Sequence, residues 1–242
     1  MSRESNPITE GLNKLLEIER SFGITDIPSQ APRAKKQPFS KKQALEELER
    51  EYKQCALCGL SKTRTNVVFG SGSADARLLF VGEAPGFDED REGLPFVGAA
   101  GQLLTKIIQA MKLSREEVYI ANCLKCRPPG NRNPLPTEIA TCQPILFKQL
   151  EIIQPDIICA LGKFAAQTLL KTEEPISRLR GRFFDWKGIK ILPTFHPAYL
   201  LRNPSDKKLV WEDMQKIMKE LKLKIPVTSN RQPESNQKPE IV

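Results

Sequence analysis

The sequence is short of several things, and each shortage narrows the reading. One histidine, His196, serves all 242 residues. No apolar run approaches the ~20 residues of a membrane-spanning helix, which argues against a membrane protein. The opening MSRESNPITEG has no apolar stretch of the sort that a secretory signal carries. A cytoplasmic location is therefore expected, where thiols stay reduced. On that footing the clustered cysteines are better read as metal ligands than as disulfides. No internal repeat is visible.

What is present is a basic chain with enough apolar residues for a core. The formal net charge is +8, and 40% of residues are hydrophobic. That balance suits a polyanionic partner such as nucleic acid. Residues 1–45 read as an extension. NPITEGLNKLLEIERSFGI places Ile8, Leu12, Leu15, Leu16 and Ile18 at roughly helical spacing, and TDIPSQAPRAKKQPFSKKQ reads as a flexible linker. Residues 225–242 lack periodicity and read as a disordered tail. The domain itself is expected over 46–224.

Within it four apolar runs recur: ARLLFVG (76–82), VYIAN (118–122), DIICALG (156–162) and IKILPTF (189–195). They are continuous rather than alternating, which suits strands buried on both faces of a parallel sheet. Helical patterns separate them: GQLLTKIIQAM, PTEIATCQPILFKQLEII and KFAAQTLL. The alternation predicts an α/β domain of three layers. The polar stretches GEAPGFDED, KCRPPGNRNP and TFHPAYLLR follow the first, second and fourth runs. Open α/β sheets bind ligands at the carboxyl ends of their strands, so these loops are the candidate site.

The cysteines divide in two ways. Cys55, Cys58, Cys123 and Cys126 would make a zinc-ribbon-like pattern; Cys55, Cys58, Cys126 and Cys142 would draw one ligand from a helix. Local structure favours the second. Cys123 still belongs to the end of a strand, whereas the prolines after Cys126 lead into a loop and Cys142 lies a turn or two into a helix. Cys159 falls inside a strand run and reads as core. Four thiolates suit zinc or a [4Fe–4S] cluster, and spacing does not choose between them.

Taken together, GEAPGFDEDREGLPFVGAAGQLL, YIANCLKCRPPGNRNPLPTEIATC and TFHPAYLLRNP resemble the iron–sulfur uracil-DNA glycosylases of bacteria and archaea, usually called family 4. The resemblance covers roughly residues 50 to 220. It implies an αβα uracil-DNA glycosylase-like fold with a four-stranded parallel sheet, and a [4Fe–4S] cluster on Cys55, Cys58, Cys126 and Cys142. It implies that Gly82, Glu83 and Ala84 line the uracil pocket and the path of the attacking water. Phe96 would stack on uracil, Asn122 would read its edge, Asn131 would support, and His196 would be the catalytic histidine. Two departures stand out. Cys123 replaces an aliphatic residue, and Ala84 stands where related glycosylases carry a water-activating aspartate.

The expected function is removal of uracil from single- or double-stranded DNA by a monofunctional, monomeric hydrolase of base excision repair. The acidic run Asp88, Glu89 and Asp90 is a candidate, with Glu83, to stabilise the sugar cation and orient water. Tyr199, Leu200, Leu201 and Arg202 are candidates for the wedge and a phosphate contact. Arg178, Arg180, Arg182, Lys187 and Lys190 suggest a basic face, while Phe183 reads as core. A protein partner for the extension is also expected. The competing readings are a redox-sensing iron–sulfur protein that binds DNA without catalysis, and a zinc module that uses Cys123.

Overall fold

The computed structural model describes residues 39–223, together with the isolated positions Lys14 and Glu17. The expected amphipathic helix and linker before residue 39 and the expected tail from 225 lie outside the described residues. Helix α1 (Lys41–Tyr52) begins where Ser40 and Gln43 cap each other, a reciprocal pair that satisfies two free amide groups. It buries Leu45 and Leu48, and Lys41 Nζ donates to the Ile153 carbonyl at 2.7 Å. Residues 41–43, read as linker, are thus the first turn of this helix.

Six strands form one sheet in the order β1-β3-β2-β4-β6-β5. The four expected runs supply its centre: β2 (Leu78–Gly82), β3 (Tyr119–Asn122), β4 (Ile157–Leu161) and β6 (Ile189–Thr194), all mutually parallel. Two short antiparallel strands, β1 (Ser71–Gly72) and β5 (Phe184–Trp186), close its edges. Between the strands run α2 (Phe87–Glu92), α3 (Ala99–Ala110), α4 (Pro136–Ile153), α5 (Gly162–Leu170) and α6 (Ile176–Leu179). The chain then adds α7 (Pro197–Arg202) and α8 (Lys207–Glu220).

The alternation of side chains along β2 divides the core in two. Leu79 and Val81 pack with Leu48 of α1, Leu150 of α4 and Ala166 of α5. Leu78 and Phe80 pack on the opposite face with Ile108 of α3, Leu200 of α7 and Ile217 of α8. This gives the expected three layers, each strand buried on both sides. From β2 the chain moves outward to β3, then crosses back to β4 on the other side. A crevice opens where strand order reverses in this way, beyond the carboxyl ends. No helix among the described residues is long and apolar enough to cross a membrane.

Candidate active site

The crevice holds a pocket of roughly 420 Å³, and its wall includes Glu83, Phe96, Asn131, His196, Tyr199 and Arg202. A larger hollow of roughly 700 Å³ lies between α1 and residues 64–69 and contains none of these groups. Sheet register explains what stands behind the Phe96 wall of this pocket. Gly82 ends β2 directly opposite Asn122 at the end of β3. A methyl group on Gly82 would overlap Asn122 Oδ1 and stand 2.5 Å from Phe96 Cζ. The bare glycine is what lets an amide and an aromatic ring meet there. Asn122 is 2% exposed, and its Oδ1 has no hydrogen-bond partner among the described residues. A buried acceptor left open is costly, and this one lies just behind the pocket residue Phe96 rather than on the pocket wall itself.

Phe96 is buried with a backbone φ of 55°, a left-handed conformation that a bulky residue rarely adopts. Such strain persists only where the surroundings fix it. Arg115 donates to the carbonyls of Pro95 and Phe96 at 2.8 and 3.1 Å and to Thr105 Oγ1 at 3.1 Å. On the other side Glu89 Oε1 accepts from the amides of Val97 and Gly98, both at 2.9 Å, while its Oε2 accepts from Gly86. Gly101 completes the clamp, since any side chain there would overlap the Phe96 carbonyl. The sequence reading did not single out Arg115 or Gly101. Glycine within a helical pattern was a legible sign of close packing; nothing local marked the arginine.

His196 opens α7, and its ring centroid lies 5.5 Å from that of Phe96. The amide of Ala198 donates to His196 Nδ1 at 3.1 Å, so in the neutral ring the proton sits on Nε2. Burial, with some help from the nearby Arg202 charge, lowers its pKa to about 4. The imidazole is therefore neutral at physiological pH and presents an N–H donor. Gly162 makes room for it, because a Cβ there would come within 2.9 Å of His196 Cβ. Glu83 is half-buried, and burial raises its pKa above the ordinary carboxylate value.

Other candidates take different places. Asn131 is exposed at the rim, where its Oδ1 accepts from Arg127 Nε at 2.7 Å. Tyr199 lines the pocket and donates to Asp206 Oδ2, and its ring packs on Phe195. Leu201 is 47% exposed beside Arg202, whereas Leu200 belongs to the core and is unavailable as a wedge. Asp90 is buried and accepts from the amides of Thr65 and Asn66, which leaves it no role at the sugar. The basic face is partly paired: Arg180 meets Asp213, Lys187 meets Glu151 and Lys190 meets Glu220, while Arg178 and Arg182 have no ion pair among the described residues. Phe183 is exposed rather than core, just before the edge strand β5.

The structure brings Cys55 and Cys58, in the turn after α1, near Cys126 in the loop after β3 and Cys142 on α4. Burial raises the Cys142 thiol first, and Cys58 and Cys55 add to it; Cys126 is pushed to about 11 by burial against Arg64, with Cys142 and Cys58 adding. The Lys125 amide donates to Cys142 Sγ at 3.3 Å and Arg64 Nη1 to Cys126 Sγ at 3.2 Å. Cys123 is fully buried in the core, where burial raises it to about 12. Cys159 is core as well. Among the described residues no three His, Cys, Asp or Glu side chains converge as one metal ion would require.

A family model for the uracil DNA glycosylase superfamily matches residues 69–221. The chain is 46% identical over 182 residues to a type-4 uracil-DNA glycosylase of Thermotoga maritima, covering 74% of this chain and 95% of that protein. A type-4 uracil-DNA glycosylase of Archaeoglobus fulgidus is 45% identical, with 72% and 92% covered. One of Saccharolobus solfataricus is 46% identical, with 74% and 86% covered. The chain belongs to the uracil DNA glycosylase superfamily and, within it, to the type-4 uracil-DNA glycosylases.

Proposed function

We propose that this protein flips uracil out of DNA and hydrolyses its N-glycosidic bond, leaving an abasic site for base excision repair. The observation that carries the reading is the open Asn122 Oδ1, buried against Gly82 beside the pocket residue Phe96. Uracil carries a donor at N3 and an acceptor at O4; cytosine reverses both. Oδ1 accepts from uracil N3–H, and the amide group is then placed to donate to O4. Phe96 supplies the face on which the flipped base stacks.

Cleavage leaves negative charge on uracil O2 and N1 and an oxocarbenium-like sugar, as in glycoside hydrolysis generally. His196 Nε2–H donates to O2 as that charge grows. It needs no proton transfer to do so, and its neutral state suits a hydrogen-bond donor. Glu83, a carboxylate with a raised pKa on the same wall, orients the water and stabilises the sugar cation. Ala84 leaves no second carboxylate at its position. Asn131 acts from the rim through Arg127. Lys125 is the lysine among the site motifs, and its Nζ is engaged with the Asn122 carbonyl and Gln149 Oε1. Without a free amine the reaction stops at the abasic strand.

Cys55, Cys58, Cys126 and Cys142 hold a [4Fe–4S] cluster in this reading. Four thiolates on one zinc ion stand about 3.8 Å apart, given Zn–S bonds of about 2.3 Å. The four thiols lie near enough to influence one another's ionisation, and the relatives that the chain resembles in these motifs favour the cluster over zinc. The cluster would tie α1, the loop after β3 and α4 together and take no part in the chemistry. A cytoplasmic, monomeric enzyme acting on the nucleoid follows from the same reading.

The test is incubation with a uracil-containing oligonucleotide, then alkali. Cleavage only after alkali, with no adduct trapped by borohydride, is the expected result. No cleavage refutes the enzyme; a trapped adduct refutes the monofunctional mechanism.

A further inference from the structure

The pocket mouth carries a second feature, made of Phe87 and Arg127. Phe87 opens α2 directly after the pocket residue Gly86, and 58% of its surface is exposed. Arg127 lies between the thiol of Cys126 and the pocket residue Pro128. Its guanidinium sits over the Phe87 ring, 5.1 Å from the centroid, and its Nε donates to Asn131 Oδ1 at 2.7 Å. Two contacts from different directions thus hold one side chain still. Both leave its terminal Nη groups uncommitted to any carboxylate among the described residues.

Its neighbours differ. Arg132, on the same loop, is forked onto Glu138. Arg91 also approaches the Phe87 ring, at 6.0 Å, but pairs with Glu92 and Asp88. Arg127 has no carboxylate partner among the described residues, and neither does the pocket residue Arg202. The two cations belong to different segments that border the pocket, one in the loop after β3 and one on α7. An exposed ring that merely packed against an arginine would need neither the Asn131 bond nor a place at the mouth. A planar, immobilised, unpaired guanidinium is suited to a phosphate, whose oxygens it can meet with two parallel donors.

We propose that Arg127, held flat on Phe87, binds a phosphodiester of the strand from which the uridine is flipped, beside the target nucleotide. The proposal rests on the uracil-excision reading. Phosphate contacts set register and orientation, and a flipped nucleotide needs its backbone held while the base leaves the stack. Phe87 acts as the platform: it fixes the plane of the guanidinium and so lowers the ordering cost when the phosphate arrives.

The test is equilibrium binding to an oligonucleotide carrying 2′-fluorouridine, which resists hydrolysis, across a salt series. Arg127→Ala should weaken binding about tenfold, as expected for one charge-assisted hydrogen-bonded contact. It should also reduce the slope of log K against log salt by about 0.7 on single strands or 0.9 on duplex. Phe87→Ala should weaken binding several-fold with the slope unchanged, because the charge remains. The double variant should be no weaker than Arg127→Ala alone. Single-turnover excision at saturating DNA should stay within about twofold of the parent for Phe87→Ala, whose ring touches none of the groups assigned to the chemistry. Visible absorption checks the cluster in Arg127→Ala, which neighbours Cys126; Phe87→Ala is free of that concern. An unchanged salt slope in Arg127→Ala, parent-like affinity in Phe87→Ala, or strictly additive losses would each overturn the subsite. Failure of the parent protein to excise uracil would instead overturn the function itself.

Discussion

Gly82→Ala tests the packing of Asn122 against Phe96 with one methyl group. The added carbon would overlap Asn122 Oδ1 and lie 2.5 Å from Phe96 Cζ and 2.7 Å from its Cε2. Carbon contacts are comfortable at about 3.5–4.0 Å, so both neighbours must retreat by about 1 Å. They have little freedom to do so. Asn122 ends a strand fixed by its register with β2, and Phe96 is clamped on both sides of its backbone. Overpacking of this kind costs about 1–3 kcal/mol of stability, which leaves a folded protein. Displacing a reading group and a stacking group by about 1 Å costs on the order of 10²-fold in rate. Single-turnover excision from a uracil oligonucleotide should fall at least that far, while thermal melting by circular dichroism shows a cooperative, slightly lower transition. Near-parent excision by the folded variant would show that uracil is not seated against Gly82 and Asn122.

His196→Ala should lower the chemical step about 10²–10³-fold with DNA affinity preserved, as measured by single turnover and binding. Because the folded imidazole titrates near 4, the parent rate should show no inflection at pH 6.5; the stability from keeping the ring neutral is full above 6.5 and is lost as pH falls toward 4. Asn122→Asp should abolish uracil excision, with a trace on cytosine at most, in parallel assays on U·G and C·G duplexes. Cys142→Ala should lose visible colour, bound iron and thermal stability, whereas Cys123→Ala should keep all three; the reverse pattern would reassign the ligands. Arg115→Ala should lower kcat/KM about tenfold or more by freeing Phe96, and Arg115→Lys should rescue little, since a point charge cannot fork onto two carbonyls.

The four central strands were legible because burial on both faces demands continuous apolar residues, and each run does become a strand. Helix α4 was legible too, spanning the quoted stretch from Pro136 to Ile153. The edge strands were not, because two or three residues become a strand through pairing with β3 or β6 rather than by composition. At the site, a lone histidine after a strand could be found by position, but its tautomer depends on the Ala198 amide. The acidic run shows the limit most plainly. Asp88, Glu89 and Asp90 look alike in sequence; in the fold Glu89 braces Phe96 and Asp90 holds the turn at Thr65. Counting basic residues likewise could not show that Lys187 and Lys190 already have partners.

The left-handed backbone at Phe96 has a consequence for how the enzyme searches. A residue held in an unfavourable conformation from both sides acquires that conformation when the chain folds, before any base arrives. A base that enters then meets a stacking ring whose backbone is already set, so that ordering cost is not met on arrival. The protein behaves as a fixed gauge past which the genome is drawn.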